Sequence, residues 1–467
     1  MTDRFTDMLR NKLTVDWTED LGALDLRNHS TGIGGVHSMP APQPVVDAIA
    51  KLKPRMIRIF LQEFFYIYQG NGVYDWSKMD AYMDAVHAMG GTIMASICIK
   101  PKALYPVVDE SIWMPNDVKE WQDVIRTLVL RYSKEKPYVT YWGIANEMNI
   151  GEYGGCPYLI KNPDDYFEYY KITTEPIFEV LPNLIPGVKV GGPHYAGLSG
   201  GAEYLSRFTE LCKENNIRVD FTCHNMYSND PTEHTKGARD IRDAIDKNFP
   251  GMEYYITELN IGIGEQVSLE DKAYDPKRAA GLAATILELH EDSALTGSFQ
   301  YHTYDQWNDP REFSPFYSIH RYMAHHWNDQ PHRLGLVDLK GKIKPQYYVY
   351  KLLYELTGKR VGLCGTNNIL RGIASKGDNG SLNMFIVNYG EKGTPDIVSR
   401  FKFKDAPEGV YEMNVYKIDA ANASKMMDAP LIDLPPSESR TTYVHPDFQF
   451  DIYTPADTVT LIQFVKQ

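Results

Sequence analysis

The segment "VTYWGIANEMNI", residues 139–150, decides the fold assignment for this chain. Its β-branched, aromatic and aliphatic residues predict a buried strand, and that strand ends abruptly in Asn146-Glu147. A second segment, "MEYYITELNIG" at 252–262, has a similar composition and ends at Glu258. Buried polar groups are costly unless they have partners, so two strands that end in this way point to a site where both glutamates act on one substrate.

Working outward from these segments, short apolar runs alternate with helical patterns from about residue 32 to residue 356. There are eight runs: 32–38, 56–62, 92–99, 139–146, 188–194, 219–225, 253–259 and 297–303. Strands that alternate with helices predict a parallel sheet, and eight such units predict a (β/α)8 TIM barrel. The alternative is an open doubly wound sheet, for which "GIGG" at 32–35 is a poor phosphate-binding signature.

The pattern changes after Gly358. Segments such as "RGIASKGDNGSLNMFIVNYG" (371–390) predict antiparallel strands joined by tight turns, with no helix between them. The N-terminal "KLTVDWTEDLGAL" (12–24) also predicts strands that could pair with them. We therefore expect a barrel over 26–358 and an accessory antiparallel β-sandwich built from 1–25 and 359–467.

The composition and net charge of the chain limit its possible binding partners and its expected cellular location. The 467-residue chain has a net charge of −13 and no long Lys/Arg run, which argues against binding to nucleic acid or anionic membranes. The five cysteines are scattered without CxxC spacing, so we expect reduced thiols that are mostly buried. With neither a signal-peptide pattern nor an 18-residue apolar run, the expected location is cytoplasmic. Self-association as a homo-oligomer is left open.

In a parallel barrel the catalytic residues gather at the carboxyl ends of the strands. Those ends form a dense polar rim, which stability alone does not require. Its members are His37-Ser38, Arg58 to Glu63, Lys100, Asn146-Glu147, His194, His224-Asn225, Glu258 and Tyr301-His302.

Two carboxylates on such a rim can bind a metal, or divide into an acid and a nucleophile or base. HExxH and DxD motifs are absent, so we expect neither a metal nor another cofactor, although a metal-dependent barrel enzyme such as an isomerase stays an alternative. The arrangement fits glycoside hydrolysis, with Glu147 as the acid and Glu258 kept ionised by Arg58. A non-catalytic carbohydrate-binding barrel is a further alternative, which predicts loss of one glutamate.

The pair "ANEMN" (145–149) and "ITELN" (256–260) resembles the acid/base and nucleophile motifs of clan A glycoside hydrolases, which lie on strands four and seven. Within that clan the chain is most similar to family 39, the β-xylosidase and α-L-iduronidase family, over most of residues 30–356. The resemblance implies a retaining, β-xylosidase-like exo-glycosidase with a carbohydrate substrate. Other clan A specificities, such as β-glucosidase, β-galactosidase or uronide-acting enzymes, stay open.

The resemblance also implies substrate-binding residues. Asn146 should bind the sugar 2-hydroxyl, and His224 and Tyr227 should lie beside the nucleophile. The remaining candidates are His37, Arg58, Lys100, His302 and Trp307. Lys100 could pair with a substrate carboxylate or with an acidic residue of the rim.

Three positions depart from the family pattern. Met148 stands where proline usually follows the acid, and Leu259 stands where tryptophan usually follows the nucleophile. His302 stands where strand eight often carries a tryptophan. These departures leave the two glutamates in place and the sugar unassigned.

Overall fold

The computed structural model describes residues 9–34, 39–262, 273–291, 295–306, 315–319, 333–423 and 433–467. Eight parallel strands close into a barrel in chain order, which confirms the TIM-barrel prediction. They are β2 (His29–Gly32), β3 (Met56–Gln62), β6 (Thr92–Cys98), β7 (Val139–Ile144), β8 (Lys189–Ala196), β9 (Phe221–Tyr227), β10 (Glu253–Asn260) and β11 (Gly297–Tyr301). A small hairpin, β4 (Tyr68–Gly70) and β5 (Val73–Tyr74), follows β3.

Helices on the outside of the barrel connect successive strands. They are α1 (Gln43–Ala50), α2 (Ser77–Ala88), α3 (Val118–Leu130), α4 (Pro163–Val180), α5 (Gly201–Glu214), α6 (Pro231–Asp246), α7 (Pro276–Glu291) and α8 (Pro345–Tyr354). The start of α3 shows how the sequence sets them. The Asp117 carboxylate caps its first turn by accepting from the Glu120 N–H, and Trp121, Ile125 and Leu128 then recur at helical spacing as buried residues.

Alternating residues of the strands face two different cores. One set, exemplified by Ile93 and Ile256, packs outward in the helix layer. The other set fills the inside of the barrel with Met94, Phe221, Cys223, Tyr255 and Phe299. This apolar plug forms the floor on which polar side chains from the carboxyl ends of the strands are assembled.

The first barrel strand starts earlier than its sequence predicted. The run at 32–38 was the expected strand, whereas β2 covers His29–Gly32 and pairs with β3 and β11. A search for apolar runs does not find β2 because its residues are polar. In the structure, neighbouring strands provide hydrogen-bond partners for these residues. Ser30 Oγ donates to the Met56 carbonyl at 2.5 Å, and His29 Nδ1 lies 2.9 Å from Ser298 Oγ.

The C-terminal residues and the N-terminal strand form the accessory β domain, which confirms that prediction. Its strands make one curled nine-stranded sheet in the order β17-β16-β19-β14-β13-β12-β1-β15-β18. They are β1 (Leu9–Asp16), β12 (Lys359–Cys364), β13 (Leu370–Lys376), β14 (Leu382–Asn388), β15 (Ile397–Lys404), β16 (Gly409–Ile418), β17 (Glu438–Val444), β18 (Gln449–Thr454) and β19 (Thr458–Lys466). The sheet is mixed, because β1 is antiparallel to β12 and parallel to β15. The boundaries 26–358 and 359–467 stay predictions.

The accessory sheet packs against the barrel through α7. Its inner face encloses a separate core that includes Leu13, Val15 and Phe464. Phe385 and Val387 on the other face of β14 join the main core of the barrel, so β14 is buried on both sides. A partly buried ion pair, Arg371 Nε to Glu288 Oε1 at 2.7 Å, joins the two parts.

Two further observations concern cysteines and membranes. All five cysteines are free thiols; four are buried and Cys364 is exposed. Across the ranges given above, no helix is both long and apolar enough to cross a membrane.

Candidate active site

Arg58 on β3 organises the centre of the polar rim. Its side chain is fully buried, and its guanidinium carbon lies 3.7 Å from the centre of the Phe60 ring. Nη1 donates to Glu258 Oε1 at 2.8 Å, and Nη2 donates to Asn146 Oδ1 at 2.5 Å and to Ser96 Oγ at 3.3 Å. One cation thus joins the ends of strands β3, β6, β7 and β10.

Glu258 lies on a β-bulge of β10. Its neighbour Ile256 pairs with His224 of β9, while Glu258 pairs with the next residue, Asn225, so Thr257 is the extra residue. As a result both Thr257 and Glu258 turn toward the barrel axis. The Glu258 carboxylate is 4% exposed and accepts a second bond, from the Tyr227 hydroxyl to Oε2, at 2.5 Å.

Glu147 stands just past the end of β7 in a strained backbone. Its φ is +49°, and φ of Ala145 is +62°, both in the left-handed region that costs a non-glycine residue about 1–3 kcal/mol. The Glu147 N–H is held by the His194 carbonyl of β8 at 2.7 Å. Its Oε1 accepts from Asn225 Nδ2 at 2.9 Å, and the residue keeps part of its surface accessible.

The two glutamates have different electrostatic surroundings. Burial and, second, the neighbouring Glu258 carboxylate raise the pKa of Glu147 to about 8. Burial also raises the pKa of Glu258, but the Arg58 cation and the Tyr227 hydroxyl oppose that rise by stabilising its carboxylate. The arrangement can therefore hold one protonated and one ionised carboxyl group near neutral pH.

Two of the predicted substrate-binding residues lie near the two glutamates. Asn146 is buried against Arg58 and donates from Nδ2 to the Gly154 carbonyl at 3.1 Å. Tyr227 touches Glu258 through its hydroxyl. Their roles toward a substrate stay predictions.

The position predicted for His224 is wrong. Because residues alternate along β9, Asn225 and Tyr227 have the other orientation, and His224 turns out to the helix layer. There its Nδ1 lies 2.8 Å from the Tyr254 hydroxyl, and burial, with His234 nearby, lowers the pKa of His224 to about 3. Asn225 faces the carboxyl groups instead, with its Nδ2 2.9 Å from Glu147 Oε1. The same period-two pattern that includes Tyr227 is the signal that identifies Asn225.

Lys100 is directed at the main chain. Its ammonium donates to the Asp109 carbonyl at 2.7 Å and to the Pro157 carbonyl at 2.9 Å, and the residue is 6% exposed. Burial lowers the pKa of Lys100 to about 8. Both partners of its ammonium are main-chain carbonyls and not acidic side chains of the rim. Pairing of Lys100 with a substrate carboxylate stays a prediction. Lys100 ties together the loops after β6 and β7.

At the end of β11, Tyr301 rather than His302 faces the carboxylates. Burial, and then the charges of Glu258 and Glu147, raise the pKa of the Tyr301 hydroxyl well above its usual range. His302 is fully buried, and its Nδ1 accepts from the Gly34 N–H at 3.2 Å. The candidates His37 and Trp307 lie outside the described residues.

In the described ranges, no group of three or more His, Cys, Asp or Glu side chains could hold a metal ion. The described polar atoms around the two carboxyl groups are hydrogen-bond donors and acceptors from several barrel strands. Such a set suits a ligand rich in hydroxyl groups.

Known proteins resemble this chain in sequence and in fold. The family model described as glycosyl hydrolases family 39 matches residues 55–424. A β-xylosidase from Geobacillus stearothermophilus is 24% identical over 261 residues, which are 50% of this chain and 48% of that protein. The chain thus spans about half the length of this relative.

Solved structures share the fold over nearly the whole chain. A monomeric β-xylosidase from Caulobacter crescentus CB15 has a TM-score of 0.75 at 18% identity, over 98% of this chain and 99% of that one. A glucosidase from Croceicoccus marinus has a TM-score of 0.71 at 16% identity, over 99% and 100%. The match over residues 55–424, on a barrel with glutamates at the ends of strands four and seven, shows that the chain belongs to glycoside hydrolase family 39.

Proposed function

We propose that the protein is a retaining glycoside hydrolase in which Glu147 is the acid/base and Glu258 the nucleophile. The proposal rests on one observation: the two carboxyl groups have different hydrogen-bond partners and different pKa shifts. Glu258 accepts hydrogen bonds from a guanidinium and a phenol, while Glu147 sits beside it with a pKa raised to about 8 by burial and by that neighbouring charge.

In the first half of the reaction, Glu258 attacks the anomeric carbon as the glycosidic bond breaks. The Glu147 carboxyl group protonates the departing oxygen, and a covalent glycosyl-enzyme forms through Glu258. Arg58 and Tyr227 hold the Glu258 oxygens in place before the attack. Because the negative charge of Glu258 disappears as the bond forms, the pKa of Glu147 then falls.

In the second half, Glu147 works as a base. Now ionised, it takes a proton from a water molecule that attacks the anomeric carbon and releases Glu258. Two inversions at that carbon leave the product with the configuration of the substrate. The drop in Glu147 pKa between the two halves is what allows one residue to serve both.

For the sugar, we propose a β-xyloside cleaved in an exo fashion. Two relatives are described as β-xylosidases, although another as a glucosidase. Lys100 also favours a neutral sugar over a uronide. Its ammonium already donates to two main-chain carbonyls and is therefore a poor partner for a sugar carboxylate. A panel of 4-nitrophenyl glycosides tests the assignment, and faster hydrolysis of a glucoside, galactoside or uronide than of the xyloside would overturn it.

The mechanism is tested by trapping and by stereochemistry. A 2,4-dinitrophenyl 2-deoxy-2-fluoroglycoside should label the enzyme, and mass spectrometry should place the label on the peptide that contains Glu258. The matched variant Glu258→Gln, with an isosteric side chain, should take no label and should lose turnover. Proton NMR of the first product should show the retained anomer.

An inverted first product, or a label on another residue, would overturn the proposal. Absence of hydrolysis across the panel, with binding of xylosides retained, would favour the non-catalytic carbohydrate-binding barrel. Loss of activity on adding a chelator would favour the metal-dependent alternative.

A further inference from the structure

Arg58 determines the hydrogen-bond directions of three polar groups near the two carboxyl groups. They are the Asn146 amide, the Asn225 amide and the Thr257 hydroxyl. A guanidinium only donates hydrogen bonds, so the Asn146 atom 2.5 Å from Nη2 must be the carbonyl oxygen Oδ1. The Asn225 amide atom that lies 3.3 Å from this oxygen must in turn be a donor, Nδ2. The same Nδ2 is the atom 2.9 Å from Glu147 Oε1.

The other side of the Asn225 amide is then its carbonyl oxygen. Oδ1 lies 2.8 Å from Thr257 Oγ1, so the threonine hydroxyl must donate to it. The His224 carbonyl is a second possible acceptor for this hydroxyl, but at 3.4 Å it is more distant than Asn225 Oδ1. A hydroxyl carries one proton, and Thr257 Oγ1 therefore acts as the acceptor toward His194 Nδ1, at 3.1 Å.

His194 completes the chain of hydrogen bonds. Its ring is fully buried, and burial, followed by the Arg58 charge, lowers the pKa of His194 well below its usual range. The neutral ring has one N–H, which the threonine places on Nδ1. Nε2 is then unprotonated, and it is buried without a hydrogen-bond partner among the described residues. Nε2 lies above Gly143, where an added Cβ would approach it to 2.1 Å.

We propose that His194 and Thr257 are positioning residues that hold the Asn225 amide with its N–H, and not its carbonyl, against Glu147. The chain runs from His194 Nδ1–H to Thr257, from the Thr257 hydroxyl to Asn225 Oδ1, and from Asn225 Nδ2 to Glu147. The proposal rests on the assignment of Glu147 as the acid/base, which it extends to the residues that set its proton affinity.

The consequence concerns the proton on Glu147. A donor at Oε1 stabilises the carboxylate and lowers the pKa of Glu147 against the rise caused by burial. With the amide reversed, its carbonyl would instead accept from the protonated carboxyl group. The other charged or titratable groups that act on Glu147 are Glu258, Arg58, Cys156, Tyr227 and Tyr301.

The test compares two threonines on neighbouring strands. Thr257→Val keeps the shape of the side chain and removes the hydroxyl that holds Asn225 Oδ1. Thr222→Val is the matched control, because Thr222 is also fully buried but its Oγ1 has no hydrogen-bond partner in the described part of the chain. Thr257→Ser restores the hydroxyl. For each variant, kcat/KM is measured against pH with a glycoside that has a poor leaving group, because its departure requires the proton of Glu147.

We expect the basic limb of the Thr257→Val profile to move to higher pH by about one unit, the scale of one hydrogen bond to a charged group. Thr222→Val and Thr257→Ser should keep the wild-type limb. An infrared titration of the protonated carboxyl band, assigned by its loss in Glu147→Gln, should show the same shift without any substrate.

An unchanged Thr257→Val titration, or an equal shift in Thr222→Val, overturns the positioning role and leaves the proposed hydrolase intact. The infrared measurement also tests the positioning role of Thr257 independently of the proposed hydrolase activity. If the wild-type enzyme hydrolysed no glycoside, the proposed function would fail, while the titration of Glu147 would still decide whether Thr257 sets its pKa.

Discussion

At the scale of single residues, Glu147 and Glu258 carry the same functional group and differ in their neighbours. Arg58 and Tyr227 supply Glu258 with a cation and a phenol, while the Asn225 amide donates to Glu147 and also stabilises the Glu258 carboxylate. Strand composition indicates both glutamates because they interrupt apolar runs. The strand ends also place Asn225 on the polar rim next to His224, but they do not indicate which of the two side chains turns inward, because that depends on the face that β9 presents to the barrel axis.

The raised pKa of Glu147 predicts the pH dependence of the reaction. The acid form is present below a pKa of about 8 and is lost above it, so kcat/KM should fall as the pH rises through about 8. Substrates with highly acidic phenol leaving groups need little protonation and should show a weaker limb. A basic limb near the ordinary glutamate value of 4.5 would contradict the assignment.

Removal of the Glu147 carboxyl group should affect leaving groups unequally. In Glu147→Ala, substrates with poor leaving groups should lose about 10²–10⁴-fold in kcat/KM, whereas glycosides of acidic phenols should be nearly spared in this step. Azide should restore turnover by occupying the vacated space and should yield a glycosyl azide of retained configuration.

Glu152 offers a control for that experiment in the same loop. Its carboxylate accepts from the N–H groups of Ser318 and Ile319 at 3.0 and 3.1 Å, so it anchors a neighbouring segment. Glu152→Ala should affect all leaving groups alike and gain nothing from azide. An equal loss across leaving groups in Glu147→Ala, in a folded protein, would refute its acid/base role.

At the scale of strands and helices, the sequence predicts most of the barrel and less of its interior. Seven of the eight predicted runs lie on the observed strands within a few residues, because buried parallel strands are continuously apolar. The first strand was misplaced because β2 has polar residues whose partners come from distant strands. The bulge at Thr257 was also invisible, since strict alternation would turn Ile256 and Glu258 to the same face.

The contact between β7 and β8 depends on one glycine. Gly143→Ala would bring a methyl group to 2.1 Å from His194 Nε2, so the ring must move, and overpacking of this kind costs about 1–3 kcal/mol. Gly32→Ala on β2 is the control, because its nearest contacts would be 3.5 Å from Arg58 atoms. Urea unfolding should show a lower midpoint for Gly143→Ala alone. Equal midpoints would mean that the barrel relaxes around His194 without cost.

At the scale of the whole molecule, β1 joins the two ends of the chain in one sheet. It lies between β12 and β15, and its Leu13 and Val15 side chains are fully buried in the accessory core. The composition of 12–24 predicts a strand there, but not the parallel pairing with β15. That pairing is set by partners nearly 400 residues away, which leave no local pattern.

Deletion of residues 1–17 should therefore disrupt the accessory sheet. The edges of β12 and β15 would lose their partner, and each Leu or Val side chain that loses its burial costs about 1.5–3 kcal/mol. Size-exclusion chromatography with light scattering should show aggregates, as unpaired strand edges promote association. Deletion of residues 1–8, which precede β1, is the control. A soluble, monodisperse protein lacking 1–17 would show that β1 is dispensable.

The place of β1 also has a consequence for synthesis on the ribosome. Thr14 emerges early, yet its partner Cys364 is added 350 residues later, roughly 20–70 s at 5–20 residues per second. All eight barrel strands are translated in that interval, so the barrel can close before either partner strand of β1 has been synthesised. The parallel neighbour, β15, arrives later still. A nascent chain released before residue 397 therefore carries β1 without the partner on that side, and only a chain translated beyond β15 can enclose it.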